Sequence, residues 1–236
     1  MSSLQVLKRL KPVSSKDTQR VIIIGAGGHG KELQSYLMDL QKLGEPISFL
    51  GFVDDNRPAG QWNDSQIVGD LSQLKELMLA EPEEQYSYIT AVGDNDVRRR
   101  LVSRIASTLP ELKPWILKHP ASVIGHNNQI GEGTCLAPGS IVTTNASIGA
   151  HCILNVNASI SHDAVVGDFS NINPGAVVAG NVEVGTGAYI GAGATLIHKV
   201  KVGEWSVIGA GAVVISDVPP YSTAVGVPAR VIKRHG

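Results

Sequence analysis

Stepping by six from Ile124, the chain reads Ile130, Leu136, Val142, Ile148, Leu154, Ile160, Val166, Ile172, Val178, Val184, Ile190, Leu196, Val202, Ile208 and Val214, so all sixteen positions are aliphatic. The residue four later is usually small, as at Thr134, Ser140, Ala146, Cys152, Ala158, Ala164, Ser170 and Ala176. The residue directly after the aliphatic is often glycine, as at Gly125, Gly131, Gly149, Gly167 and Gly185. A helix repeats about every 3.6 residues and an ordinary strand about every 2, so a period of six fits neither alone. It fits a short strand and a turn of about 120°, repeated three times per coil, with aliphatic side chains stacked inside and small ones at the corners. The second half is therefore predicted to be a triangular parallel β-helix of 18 residues per coil, with Gly and Asn taking strained turn conformations. Asn155 and Asn173, one coil apart, are read as such corner residues.

The first half keeps a different rhythm. Val21 to Ile24 is a continuous β-branched run, followed by a glycine-rich turn to Gly30 and then KELQSYLMDL, which has helical spacing. This is a buried parallel strand feeding a helix. A second strand over Phe49 to Val53 ends in Asp54 and Asp55, and a helix is expected near Leu71 to Leu79. A further strand is expected over residues 90–93 and a helix from Asp96 to about Thr108. Strands alternating with helices predict a small parallel α/β sheet. The expected division is an N-terminal tail at 1–19, an α/β module at 20–114 and the β-helix with its C-terminal segment at 115–236.

Composition narrows the function classes. At 43% hydrophobic and 17% charged, the chain has the material for a core. Lys and Arg total 20 against 21 for Asp and Glu, a formal net charge of −1. That balance argues against nucleic acid and anionic membrane surfaces as partners. The local basic excess at Lys8, Arg9, Lys11, Lys16 and Arg20 is read as a solvated leader. No apolar run reaches the roughly 20 residues of a membrane span, and MSSLQVLKRL lacks a secretory apolar stretch. Cys135 and Cys152 stand seventeen apart, one short of a coil, so pairing is not expected and a cytoplasmic location is.

The candidate chemistry falls in two places. Gly25-x-Gly27-x-x-Gly30 has the spacing of a dinucleotide turn, with Asp54 or Asp55 as the acid for a ribose. A module over 20–114 is only half a doubly wound fold, which suits a mononucleotide. Its glycines let a phosphate approach backbone N–H groups at a helix N-terminus; the alternative is a tight turn without a ligand. His29 stands in this turn, where Gly, Ser or Ala would serve structure more simply, and is read as facing a ligand.

In the repeat, His126, His162 and His198 each lie two residues after a core aliphatic and 36 apart, in one column two coils from each other. Neighbours at about 9–10 Å are too far apart to share one metal. His162 is singled out because Asp163 follows it, and a carboxylate that fixes an imidazole's tautomer suits a general base. One coil above stands Gly180, whose bare backbone would let a carbonyl approach an N–H group. His119 is expected to cap the start of the prism, and His151 and His235 to carry no chemistry.

Taken together, the hexads, the opening IIGAGGHGKE, the Asp54-Asp55 pair, AVGDNDVRRR, HPAS, SHDAVVGD and the ending DVPPYSTAVGVPARVIK resemble bacterial sugar O- and N-acyltransferases of the PglD/NeuD type. The resemblance implies a half-Rossmann-like module followed by a left-handed parallel β-helix. It implies acetyl transfer from acetyl-CoA to the amino group of a UDP- or GDP-linked amino sugar, with no metal. His162 and Asp163 match that family's catalytic pair. Asn155, Gly180, Gly226, Pro228 and Arg230 match its acetyl-CoA contacts, and Gly27, Gly28, His29, Asp54, Asp55, Gly93, Asn95 and Arg98 its nucleotide-sugar site. The resemblance also implies a homotrimer with active sites between subunits. Some members have a second histidine nine residues after the first; here that position is Asn171. The alternatives are O-acetylation of a sugar hydroxyl such as that of sialic acid, a zinc hydratase, an NAD(P)-binding protein and a non-catalytic scaffold.

Overall fold

The computed structural model describes residues 18–82 and 84–235. The leader expected at 1–19, with Lys8, Arg9, Lys11 and Lys16, lies outside the described residues except for Thr18 and Gln19.

The first module runs β1 (Gln19–Ile24), α1 (Gly28–Lys42), β2 (Ile47–Val53), β3 (Gly60–Trp62), β4 (Ser65–Gly69), α2 (Leu71–Ala80), β5 (Tyr86–Thr90), α3 (Asn95–Thr108) and β6 (Lys113–Pro114). The sheet order is β3-β4-β2-β1-β5-β6, with β1 central and parallel to both β2 and β5. Val21 to Ile24 are at most 3% exposed, as an unbroken β-branched run covered on both faces should be. Asp70 and Gln73 form a reciprocal cap at the start of α2, and Asp94 caps α3 through the N–H of Val97. Such caps satisfy donors that a helix start leaves open.

Two sequence expectations change. The strand placed at 90–93 is Tyr86–Thr90, buried throughout between β1 and β6, and Ala91 to Gly93 leave the sheet as a loop. The antiparallel pair β3–β4 was not anticipated. Its turn is Asn63-Asp64, both left-handed at φ 45° and 57°, the geometry that lets a two-residue hairpin follow the twist of its strands.

From Leu117 the chain coils. Each two-residue strand pairs in parallel with the strand one coil on, as Cys135 does with Ile153 and Leu136 with Leu154, a register of 18 residues. Three sheets result, one per face. From Leu136 onward the hexad aliphatics are at most 2% exposed, and the small corner residues Thr134, Ser140, Cys152, Ala158 and Ser170 are fully buried.

The glycines divide their roles differently from expectation. Those directly after the aliphatic are not left-handed. They are needed for close approach, since a β-carbon on Gly167 would lie 2.5 Å from the backbone N of Thr186 in the next coil. The left-handed position is two further along in each hexad from Asn127 to Gly211, and Gly, Asn, His151, Asp163, Phe169, Lys199 and Trp205 fill it. The corner residues suited to that geometry are accordingly Asn157 and Gly175 rather than Asn155 and Asn173. A parallel strand, Ser222–Val225, and an antiparallel return, Arg230–Arg234, extend one face at the C-terminal end.

The two modules share a core. Leu33, Leu37 and Ile23 of the first pack in one cluster with Leu117, Cys135 and Ala137 of the second. His119 joins them from the prism's base, its ring edge-on to Tyr36 at 5.3 Å and its Nε2 3.4 Å from Asp39. Cys135 and Cys152 are buried, unpaired thiols.

Candidate active site

His162 and Asp163 sit at one edge of the prism. The strand Ser159–Ile160 ends there, and Asp163 takes the left-handed conformation at φ 59°. Neighbouring residues of a strand point to opposite sides, but this turn brings the Asp163 carboxylate round to His162, with Nδ1 2.8 Å from Oδ2. The carboxylate is held below its usual range chiefly by that hydrogen bond. An Nδ1 proton donated to Asp163 leaves Nε2 as the acceptor atom. The two side chains are 58% and 48% exposed.

Nε2 is aimed at the next coil. A β-carbon built on Gly180 would lie 2.4 Å from His162 Nε2 and 2.5 Å from Cε1. Only glycine leaves room for the imidazole in this pose. The Gly180 carbonyl accepts from Lys199 N–H at 3.1 Å, while its own N–H has no backbone acceptor among the described residues. A lone pair on nitrogen and an open backbone donor therefore lie side by side at this edge.

The glycine-rich turn is organised by Asp54. Its Oδ2 accepts from Ala26 N–H at 2.8 Å and its Oδ1 from Asn56 N–H at 2.9 Å. Gly27 caps α1, both Gly27 and Gly28 are exposed, and neither would meet another atom within 4 Å if given a β-carbon. Gly30 serves packing instead. A β-carbon there would sit 2.4 Å from the Gly25 carbonyl oxygen, so it sets how closely α1 approaches β1. Asp55 pairs with Arg104 of α3.

A crevice of about 380 Å³ opens at the carboxyl ends of β1, β2 and β5, lined among others by Gly25, Asp54, Asp55, Asn56, Arg100 and Arg104. The chain leaves β1 for β2 on one side and reaches β5 on the other, so this is the switch point of the sheet. Beyond the β5–α3 loop lies a second cleft of about 400 Å³ between the modules. His29, Glu32, Gly93, Asn155, Asn173 and Tyr189 face it. His29 Nδ1 is 2.9 Å from Glu32, and its Nε2 is buried without a hydrogen-bond partner.

Arg98 and Asn95 are placed elsewhere than the nucleotide face. Arg98 is fully buried and gives its donors to the carbonyls of His151 (3.0 Å), Val92 (2.7 Å) and Phe169 (2.7 Å) and to Asn171 Oδ1 (2.7 Å). Burial lowers its pKa to about 10. Asn95 donates to the carbonyls of Gly187 and Ala188, and Asn171 returns a bond to Gly93 O at 2.6 Å. The three side chains lock the modules together, and those of Arg98 and Asn95 have no donors left for a phosphate. His151 belongs to the same junction, stacked on Phe169 at 5.3 Å and Tyr88 at 6.2 Å. It sits in a turn, as expected, but it is buried there, and burial lowers its pKa to about 4.

Gly226, Pro228 and Arg230 are exposed where the C-terminal segment crosses the top of the prism, held by Val213 N–H to Gly226 O and Ala229 N–H to Val213 O. Asn155 stands at a different prism edge from His162, separated by the strand Ser159–Ile160. Among the described residues no three His, Cys, Asp or Glu side chains converge to hold a metal ion, and no helix is long and apolar enough to cross a membrane.

Comparison with known proteins finds family matches over both modules. Residues 20–105 match the PglD N-terminal domain, and residues 163–198 and 181–216 match the bacterial transferase hexapeptide family of six repeats. The acetyltransferase domain of PglB from Neisseria gonorrhoeae, solved with acetyl coenzyme A, is 32% identical, with 91% of this chain and 100% of that one covered and a TM-score of 0.80. The chain belongs to the PglD-type hexapeptide-repeat acetyltransferases.

Within this family, PerB from Caulobacter crescentus, solved with CoA and GDP-perosamine, is 31% identical over 90% of this chain and 97% of its own, with a TM-score of 0.78. A GDP-perosamine N-acetyltransferase of Escherichia coli O157:H7 is 32% identical over 129 residues, a match spanning 55% of that relative's length. The prism of this PglD-type chain is thus the left-handed β-helix of its relatives.

Proposed function

We propose that the protein transfers acetyl from acetyl-CoA to the amino group of a UDP- or GDP-linked amino sugar, by direct attack within a ternary complex. The observation that carries this reading is the seating of His162 Nε2 against Gly180 with Nδ1 tied to Asp163. The amine attacks the thioester carbon while Nε2 takes its proton, and Asp163 stabilises the imidazolium that forms. Negative charge builds on the thioester oxygen, where the open N–H of Gly180 receives it. The tetrahedral intermediate collapses with cleavage of the carbon–sulfur bond, and the imidazolium returns its proton to the departing thiolate.

The nucleotide lies at the sheet's switch point, with Asp54, Asp55 and the turn at Gly27, Gly28 and His29 along its path. The sugar then reaches the cleft bearing His29, Gly93 and Asn155. Arg230 at the crown supplies a cation for the phosphates of CoA, beside Gly226 and Pro228.

Asn155 and His162 stand at different edges, so a complete site needs a second copy of the chain. The outward positions of the face between them include Val123, Ile141 and Val177, which are 58%, 40% and 37% exposed. An apolar stripe of this kind fits burial against another prism, and a homotrimer closes three such contacts. The test is CoA release from acetyl-CoA in the presence of UDP- and GDP-linked amino sugars and of free sialic acid. Turnover with an amino-sugar nucleotide alone supports the reading. Turnover confined to sialic acid contradicts it.

A further inference from the structure

The cleft between the modules holds a second histidine–carboxylate pair. His29 and Glu32 stand three apart in the first turn of α1, which places both side chains on one face of the helix. Both line the cleft of about 400 Å³, together with Asn155, Asn173 and Tyr189 of the prism. The helix is anchored by Leu33 and Leu37, which are fully buried, and Gly30 lets it lie close on β1. His29 Nδ1 is 2.9 Å from Glu32 Oε2, whereas Nε2 is buried with no hydrogen-bond partner among the described residues. Buried polar atoms are as a rule paired, so this nitrogen calls for a partner. The charge on the cleft narrows what that partner is. Glu32 and Asp94 line it, and among the described residues no lysine or arginine does. Such a wall repels a phosphate and favours a group with hydrogens to donate. Arg100 and Arg104 line the other crevice, at the switch point of the sheet.

We propose that Glu32 is a positioning residue for the sugar: by accepting the Nδ1 proton of His29 it leaves Nε2 a lone pair, which accepts a hydrogen from an amine or hydroxyl of the sugar. This rests on the reading of the cleft as the sugar's place and adds what is recognised there, a donor group and not an anion. Which ring nitrogen carries the proton is set by the hydrogen bond that the other one makes. Without the carboxylate the proton is free to sit on Nε2, which then meets the sugar's hydrogen with a hydrogen of its own. The pair contributes little to the fold, because Glu32 is 54% exposed and exposed pairs hold weakly. Its effect therefore falls on the substrate and not on stability.

Two measurements test this. Nitrogen-15 spectra of the histidines, taken without substrate and assigned through His29→Ala, show His29 protonated on Nδ1 in the unmodified protein and on Nε2 in Glu32→Ala. In binding titrations, Glu32→Ala holds the best UDP- or GDP-linked amino sugar roughly tenfold more weakly, the scale of one hydrogen bond, while UDP, GDP and acetyl-CoA stay within about twofold. Glu32→Gln keeps a carbonyl oxygen as acceptor and recovers part of the loss. Glu32→Ala adds nothing to His29→Ala. The same penalty on a nucleotide-linked sugar lacking the amine supports a hydroxyl as the donor, and its disappearance there supports the amine. A merely structural glutamate would lower the thermal midpoint and leave the tautomer and this selectivity unchanged. A proton on Nε2 in the unmodified protein, or an equal loss of nucleoside diphosphate and amino-sugar nucleotide, would overturn the role of Glu32. Unmodified protein that carries the proton on Nδ1 yet binds no amino-sugar nucleotide would overturn the reading of the cleft, and the sugar contact with it.

Discussion

The imidazole of His162 occupies the space that a side chain at Gly180 would fill. A β-carbon there would come within 2.4 Å of Nε2, so base and neighbour form one device. Gly180→Ala should displace the ring and lower kcat by about 10² or more, the range lost when a general base is removed. Because His162 is largely exposed and free to swing aside, the thermal midpoint should change little. In a double-mutant cycle, Gly180→Ala combined with His162→Ala should be no slower than His162→Ala alone. Additive losses in that cycle would show the two residues acting independently.

This pair was legible in the sequence because a strict period converts numbers into layers: residues 162 and 180 are one coil apart, and the pairing of Ser159 with Val177 fixes that register. The route of the Asp163 side chain was harder to read, since it depends on which hexad position is left-handed, and several residue types share that position. The role of Arg98 could not be read at all. Three of its acceptors lie 53 to 73 residues away on the prism, and only docking of the two modules brings them to it. In sequence it stands beside Arg99 and Arg100, and the resemblance assigned it to the nucleotide-sugar site. Asn171 is explained by the same contact, as the partner of Arg98 and Gly93.

Arg98→Met should destabilise the protein by about 3 kcal/mol or more, because four acceptors at a buried junction lose their donors. Arg98→Lys should not restore it, since an ammonium cannot present a planar fork to carbonyls on both modules. Chemical unfolding of the variant should separate into two transitions, the α/β module melting first. A single wild-type transition would contradict the junction role.

His151 should make the fold sensitive to acid. Its folded pKa is lowered to about 4, first by burial and then by Arg98, so the unfolded chain binds a proton that the folded chain refuses. Its contribution is complete above the unfolded value near 6.5 and is lost as pH falls from there toward 4. The shift corresponds to roughly 3 kcal/mol. His151→Phe keeps a ring between Phe169 and Tyr88 and should flatten stability against pH across that window. An unchanged slope in urea titrations from pH 7 to 4 would exclude His151 as the source.

The two kinds of glycine should respond oppositely to substitution. Gly193 is left-handed at φ 65° with open space around a β-carbon, so Gly193→Asn should change stability by about 0.5 kcal/mol or less. Gly185 is pressed against the next coil, where a β-carbon would meet Glu204 N at 2.5 Å. Gly185→Ala should cost about 2 kcal/mol or more through backbone displacement. Equal effects in thermal melts would show that close approach is not what selects glycine after the aliphatic.

The most direct test of acetyl transfer at this edge is the turnover of His162→Ala, read as thiol release with saturating acetyl-CoA and the best nucleotide-linked amino sugar. The account predicts kcat lower by about 10² to 10⁴, with both substrates still bound and the fold intact. Turnover within a few-fold of the unmodified enzyme would contradict it.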